Sequence, residues 1–542
     1  MKLSQANDHY TTLMNKYKGY IDTWDAIYAL DSDEIDSTAG LYEEIKNNLI
    51  DTGYFTAKEM IDLIGNICNK SLHYRRGYID LMKRIIEEHQ CTDIYNISFL
   101  SQYDDIKINT SEYAIMNDNE NELLYHLKNE KLNLTEILEK CCLRGAVNCF
   151  KLLQKEFDIK ITKECLDASF LGNNQYIIDE CLKENNPDDD TMNAAIESHN
   201  ITNFYKLHQE YHPKTQLMNV GIYKNLHAFI YILNETEDFN FTFIVSPYFH
   251  IPSFCEYMYQ NGADINYMND QGTTALDIAA IENQTDIALN LILNGINVSA
   301  LDSRILNEII MENYIFMLEL LLSHGANANT VISEYSFSLL HMACYDNNIK
   351  AVNILISHGA NINDARNEQK LTPLMLTCMF NWKEIAVLLI SHGANVNMQS
   401  ACGLSALHIA LRCKVKDNFK KDMIELLLSN GANINAKDEV GYTPLHIASG
   451  ECSYEIVELL ISHGAEVNSL TNDGATPLDF TTRRKSKTPD SSQESQKIMS
   501  LLILHGVKNF LTGFSSINLS SLYTQPIKNL IWESKANFLL ST

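Results

Sequence analysis

The chain has 542 residues, too many for one ordinary hydrophobic core, so several domains or an array of repeats is expected. Hydrophobic residues make up 45%, which excludes wholesale disorder, and a formal net charge of −27 disfavours nucleic acid and anionic lipid as partners. Thirteen cysteines without a C-x-x-C pair read as reduced thiols, and no apolar run reaches the roughly 18 residues that span a bilayer.

The N-terminus, MKLSQANDHYTT, lacks the apolar stretch of a signal peptide, so a cytoplasmic protein without membrane insertion is expected. Residues 1–110 carry amphipathic patterns such as TAKEMIDLIGNICNK and read as a helical N-terminal domain. Residues 111–270 hold loosely similar segments, among them CCLRGAVNCFKLLQKEF from Cys141 and AAIESHNITNFYKLHQEY from Ala194. Each has a small-residue start, a polar turn and an apolar second helix, the pattern of short helical hairpins.

From 271 to 508 the pattern sharpens. Glycines recur at Gly295, Gly325, Gly359, Gly393, Gly431 and Gly464 in contexts such as ISHGANVN, with an outlying copy at Gly262 and a late echo at Gly506. A second motif keeps step with them: TALDIA from Thr274, SLLHMA from Ser338, TPLMLT from Thr372, SALHIA from Ser405, TPLHIA from Thr443 and TPLDFT from Thr476. Thr443 is placed to cap a helix and Pro444 to open it. YEIVELLISHG then supplies a buried second helix, which Gly464 ends in the left-handed region.

A period near 33 residues with T-P-L-H-x-A at a fixed offset resembles the ankyrin-repeat family, with 111–270 as degenerate ankyrin-like hairpins. The layout, an all-helical leader ahead of eroded and then clear repeats, is similar to the large ankyrin families of some parasitic protists. The resemblance implies an all-α solenoid of paired antiparallel helices with hairpin loops. It also implies that His341, His408 and His446 hydrogen-bond between repeats, and that Met375, Asp277 and Asp479 forfeit that bond.

Two insertions break the period. One falls around Lys414–Lys420, between the helices of a repeat. The other, RRKSKTPDSSQES from Arg483 to Ser495, reads as a polar flexible loop whose basic run leaves a nuclear location open. Residues 509–542 depart from the period and read as a C-terminal cap or a disordered tail.

The repeated Ser-His-Gly invites a metal or phosphate reading, and geometry opposes both. Equivalent histidines of adjacent repeats stand about 8–10 Å apart, whereas zinc needs nitrogens at about 2 Å. Anions prefer helix N-termini, and this glycine ends a helix. No metal, cofactor or catalytic residue is expected, and no nucleotide-binding or hydrolase motif occurs.

The family resemblance places partner binding on the concave face, at loop positions before each T-P-L-H and at positions late in each inner helix. Here those positions include Tyr335, Phe337, Tyr345, Leu371, Met379, Phe380, Leu404, Arg412 and Tyr442. All are expected to face solvent, and they are rich in the residue types that anchor interfaces. The blander expectation is that some pack on one another. A non-catalytic scaffold or adaptor for a protein partner is the function expected. The alternative is an effector-type protein whose N-terminal domain carries an activity and whose repeats select the target.

Overall fold

The computed structural model describes residues 10–30, 35–70, 75–91, 110–332, 336–483 and 489–506. The chain divides into two compact units, Met1–Asn361 and Ile362–Thr542.

The first unit opens with helices α1 (Lys18–Tyr28), α2 (Ile35–Ile45), α3 (Ala57–Lys70) and α4 (Arg75–His89). Their apolar faces bury Trp24, Ile27, Ile45, Leu49, Ile64 and Leu81 together. The Tyr78 hydroxyl donates to the Ile27 carbonyl at 2.9 Å, tying α4 to α1.

Helical hairpins follow. Their helices are α5 (Ser111–Met116), α6 (Glu120–Asn129), α7 (Leu134–Arg144), α8 (Val147–Phe157), α9 (Lys163–Gly172), α10 (Gln175–Glu184), α11 (Asp189–Glu197) and α12 (Ile201–Glu210). Next come α13 (Leu217–Ile222), α14 (Leu226–Thr236), α15 (Phe239–Val245), α16 (Pro252–Gln260), α17 (Ala275–Ile281) and α18 (Thr285–Leu293). The unit ends with α19 (Ser303–Met311), α20 (Ile315–Ser323), α21 (Leu339–Tyr345) and α22 (Ile349–Ser357). A short antiparallel pair, β1 (Val331–Ile332) with β2 (Phe337–Ser338), precedes α21.

One feature runs through weak and strong repeats alike. The turn between the two helices of a hairpin holds a residue at positive φ: Asn173, His199, Lys224, His250, Asn283, Asn313 and Asn347. In several hairpins an asparagine follows and caps the outer helix. Asn200 accepts from the Asn203 amide at 3.1 Å, Asn225 from Ala228 at 3.0 Å and Asn348 from Ala351 at 3.1 Å. These turns lie 25 or 26 residues apart from Asn173 to His250, and 30 to 34 apart from there to Asn347. The early hairpins have therefore lost the loop between repeats and kept the helix pair. Gly172 shows how tightly they stack, since a Cβ there would lie 2.1 Å from the Cys142 carbonyl oxygen of α7.

The second unit contains α23 (Pro373–Phe380), α24 (Lys383–Ser391), α25 (Ala406–Arg412), α26 (Asp417–Ser429), α27 (Pro444–Glu451), α28 (Tyr454–Ser462), α29 (Pro477–Arg483) and α30 (Pro489–Leu504). The extra residues near Lys414–Lys420 do not all form a loop, because Asp417–Lys420 lengthen the outer helix α26 at its start. The loop expected over Arg483–Ser495 is also corrected. Residues 489–495 belong to α30, held to α28 where Glu494 accepts the Tyr454 amide at 2.6 Å. Residues 484–488, most of the basic run, and the tail from 509 lie outside the described residues.

The Ser-His-Gly motif is a helix terminator. His392 donates through Nδ1 to the Leu388 carbonyl at 2.9 Å, and His324, His358 and His463 make the same bond at 2.8, 3.0 and 2.9 Å. Where asparagine replaces histidine, Asn430 donates to the Leu426 carbonyl at 2.8 Å. Gly393 follows at φ 93. The motif's last asparagine then bridges repeats: Asn363 donates to the Gly393 carbonyl at 3.3 Å and accepts from the Asn395 amide at 2.8 Å. Asn397 and Asn435 repeat this pairing further along the unit.

Candidate interaction surface

The second motif builds the inner face of each repeat. Ser405 N–H and Oγ–H both point at His408 Nδ1, at 3.2 and 2.8 Å, so that nitrogen accepts. His408 Nε2 then donates to the Tyr442 carbonyl of the next repeat at 3.0 Å, and His446 does the same to Ala475 at 3.2 Å. Both rings are fully buried. Burial foremost, with two donors already facing Nδ1, pushes each down to about 4 and keeps it neutral. At Asp277 the inter-repeat bond expected to be missing is present with reversed polarity, because its carboxylate accepts from the Asp302 amide at 3.3 Å.

Of the nine residues expected on the concave face, the eight that are described separate into two groups. Phe337, Leu371, Leu404 and Tyr442 are buried, at 9, 5, 2 and 5% exposure, contrary to the expectation of solvent-facing side chains. The cause is local. A residue directly before the cap lies over the inner helix, so the Phe337 ring meets His341 at 5.2 Å and Tyr442 stacks on His446 at 6.1 Å. Tyr442 also meets Phe480 of the following repeat edge-on at 4.9 Å. Leu371 is bracketed by Asn367, which accepts its amide at 2.8 Å and donates to its carbonyl at 2.6 Å.

Tyr345, Met379, Phe380 and Arg412, all late in inner helices, are half-buried. Tyr335 lies outside the described residues. In the second unit, Phe380 stacks on Trp382, with ring centroids 6.4 Å apart, at the turn into α24. Arg412 lies close enough to reinforce the lowering of His408, while burial holds the nearby Asp438 carboxyl above its ordinary value despite the Arg412 charge. Trp382, directly after the positive-φ Asn381, is not one of the nine expected residues.

In the first unit the same class of position is already occupied. Helix α1 lies across successive hairpin turns. Tyr28 stacks on His199 at 4.1 Å, and Asp25 accepts from His199 Nδ1 at 2.8 Å and lies 3.9 Å from His227. Burial alone would raise the Asp25 carboxyl, but the two histidines hold it below its ordinary value. Tyr20 meets Phe249 at 6.5 Å, Tyr17 meets Phe254 at 5.3 Å, and Phe55 stacks on His250 at 4.3 Å. Beneath them lies a buried ion pair. Lys224 Nζ donates to Glu282 at 2.7 Å and to the Tyr248 carbonyl at 2.8 Å, while His250 Nε2 donates to the same carboxylate at 3.0 Å. Burial would raise Glu282, yet Lys224 and His250 pull it down to about 2. None of these long-range contacts leaves a local pattern in the sequence.

Among the described residues no group of three or more His, Cys, Asp or Glu is placed to hold a metal, and no helix is long and apolar enough to cross a membrane.

The family model described as ankyrin repeats (3 copies) matches residues 340–438 and 413–510, and a second, ankyrin repeats (many copies), matches 245–292. Residues 245–292 and 340–510 are ankyrin repeats. A further model, described only as a domain of unknown function (DUF3447), matches 157–232, within the hairpins of shorter period. Among solved structures, the ankyrin repeat domain of human ASB11 matches at 21% identity, covering 44% of this chain and 99% of that one, with a TM-score of 0.35. No curated protein matches in sequence. Ankyrin repeats are protein-interaction modules, and the coarse function follows from the repeats themselves.

Proposed function

We propose that this protein is a non-catalytic, cytoplasmic scaffold that holds a protein partner along the inner-helix face of its repeats. The observation that supports this reading most is the grading of that face in the second unit. Leu371, Leu404 and Tyr442 are buried, while Met379, Phe380, Trp382 and Arg412 are half-exposed. Half-exposed rigid aromatic rings and a guanidinium are the combination that anchors interfaces. The negative charge of the chain favours a protein partner over nucleic acid.

The test is affinity capture with the full chain, comparing wild type with Phe380→Ala/Arg412→Ala. Each anchor removed from an interface costs about 2 kcal/mol, so partner recovery should fall by at least about tenfold while thermal stability stays within a degree or two. Unchanged recovery with the double variant would refute the placement of the surface.

A further inference from the structure

The first unit carries a surface that continues beyond the helices already seated on it, and its chemistry changes where they stop. The covered turns present basic residues at positive φ, His199, Lys224 and His250, and all three are buried. The covering elements bring carboxylates to them: Asp25 bonds His199, and Glu59 lies close enough to His250 to act on it electrostatically. At the next turns the positive-φ residues are Asn283, Asn313 and Asn347, and each directly follows an acid: Glu282, Glu312 or Asp346. Glu282 is turned back to Lys224 and His250. Glu312 and Asp346 are exposed as residues, although partial burial of its carboxyl raises Asp346 to about 6, and no ion pair is formed by either among the described residues. Glu308, one helical turn before Glu312, is raised by partial burial and then by the charges of Glu312 and Glu282. Tyr314 and Tyr345 stand half-buried near these acids, Tyr314 at the edge of the covered region where Glu59 of α3 still acts on it electrostatically.

Helix α1 supplies the geometry of recognition. Between Tyr28 over His199 and Tyr17, the residue at its N-cap, against Phe254, it crosses two hairpin steps in eleven residues. At 1.5 Å per residue that is about 16 Å, and two helix-packing steps are about 16–20 Å. A helix laid across these turns therefore advances one hairpin for roughly every five to seven residues.

We propose that the turns at Glu312–Asn313 and Asp346–Asn347 dock a basic amphipathic helix of a protein partner, laid across the hairpins as α1 is. Lysines or arginines about one heptad apart meet Glu308 with Glu312, and then Asp346, while an aromatic residue one turn away packs on Tyr314. The charge pattern inverts that of the intramolecular contact at His199, where Asp25 of α1 meets a basic turn residue. This inference rests on the reading that the repeats bind protein, and it names the partner's chemistry on a separate part of the chain.

The test uses the full chain and three synthetic alanine-based helical peptides, with binding read by fluorescence anisotropy. One peptide carries lysines a heptad apart with a tyrosine one turn from each, the second carries glutamates in place of the lysines, and the third has the first peptide's composition scrambled. The heptad lysine peptide should bind at least about tenfold more tightly than either of the others, and Glu312→Lys/Asp346→Lys should remove that preference. Both residues are exposed and only the Asp346 carboxyl is partly buried, so the melting temperature of the variant should fall by at most a few degrees. Equal binding of the scrambled peptide, or a preference that survives charge reversal, would overturn the proposal. Loss of partner capture with Phe380→Ala/Arg412→Ala alongside failure of the lysine peptide would sink this inference and leave the earlier reading standing. Unchanged capture together with peptide failure would sink both.

Discussion

Removing Glu282 should destabilise the first unit far more than removing the lysine it pairs with. The Lys224 side chain is only 3% exposed, and its ammonium has Glu282 at 2.7 Å, the Tyr248 carbonyl at 2.8 Å and the Tyr248 ring at 5.3 Å. Glu282→Ala leaves that cation buried with one carbonyl and one ring, and it strips His250 of its acceptor. Stranding one member of a buried pair costs about 3–5 kcal/mol, and because Glu282 is 24% exposed the lower end applies, about 3 kcal/mol. Lys224→Met removes the cation and fills its space, while Glu282 keeps His250 and some water, so about 1 kcal/mol is expected. The double variant should resemble Lys224→Met, giving a coupling of roughly 3 kcal/mol. Native-state hydrogen exchange at the amides of α14, which follows directly on Lys224, reads the local opening free energy. With Glu282 lowered to about 2, its contribution is complete above an unfolded value of about 4.3 and is lost as the pH falls through that window toward 2. Equal costs for the two single variants, or less than about 1 kcal/mol for Glu282→Ala, would refute the reasoning.

Phe337→Ala should cost about 3 kcal/mol because the ring is buried against His341, whereas Phe380→Ala should barely move the melting temperature; thermal denaturation of the two variants separates them. His408 and His446 are lowered to about 4, so the stability they contribute is complete above about pH 6.5 and is lost as the pH falls toward 4. A melting temperature that drops steeply across that window, and less steeply in His408→Gln/His446→Gln, is expected; identical slopes would count against the neutral buried rings. Gly393→Val should cost about 1–2 kcal/mol through backbone conformation alone, since nothing lies within 4 Å of an added Cβ. His392→Ala should cost less and leave metal content unchanged, and zinc lost with His392 would overturn its role as a terminator.

The sequence exposed what is local and periodic. His392 and Gly393 could be read as the end of a helix because the donor, the carbonyl four residues back and the left-handed glycine all lie within one turn. The placement of Phe337 and Tyr442 failed because the T-P-L-H register fixes where a side chain stands, not which neighbour covers it. Asp277 was misjudged for a similar reason. Replacing a donor by an acceptor reverses the bond when a backbone amide, here that of Asp302, faces it. Residues 489–495 looked like a polar loop because their composition is, yet a proline at a helix start and Glu494 on the Tyr454 amide make a helix of them. The seating of α1 on the hairpins joins Asp25 to His199 and Tyr17 to Phe254, pairs too distant in sequence for any window to connect. The hairpin turns themselves, by contrast, recur as His-Asn, Lys-Asn and Asn-Asn pairs at 199, 224 and 347, each a positive-φ residue followed by a helix cap.

Hydrogen exchange of the full chain, free and bound to a captured partner, tests the central claim most directly. Scaffolding on the inner-helix face predicts slowed exchange on binding at residues 378–383 and 411–414, where Phe380, Trp382 and Arg412 are half-exposed, with α24 and α26 unchanged around the exposed Val387 and Phe419. Protection centred on Val387 and Phe419, with none at 378–383, would place the partner on the outer helices and contradict the account.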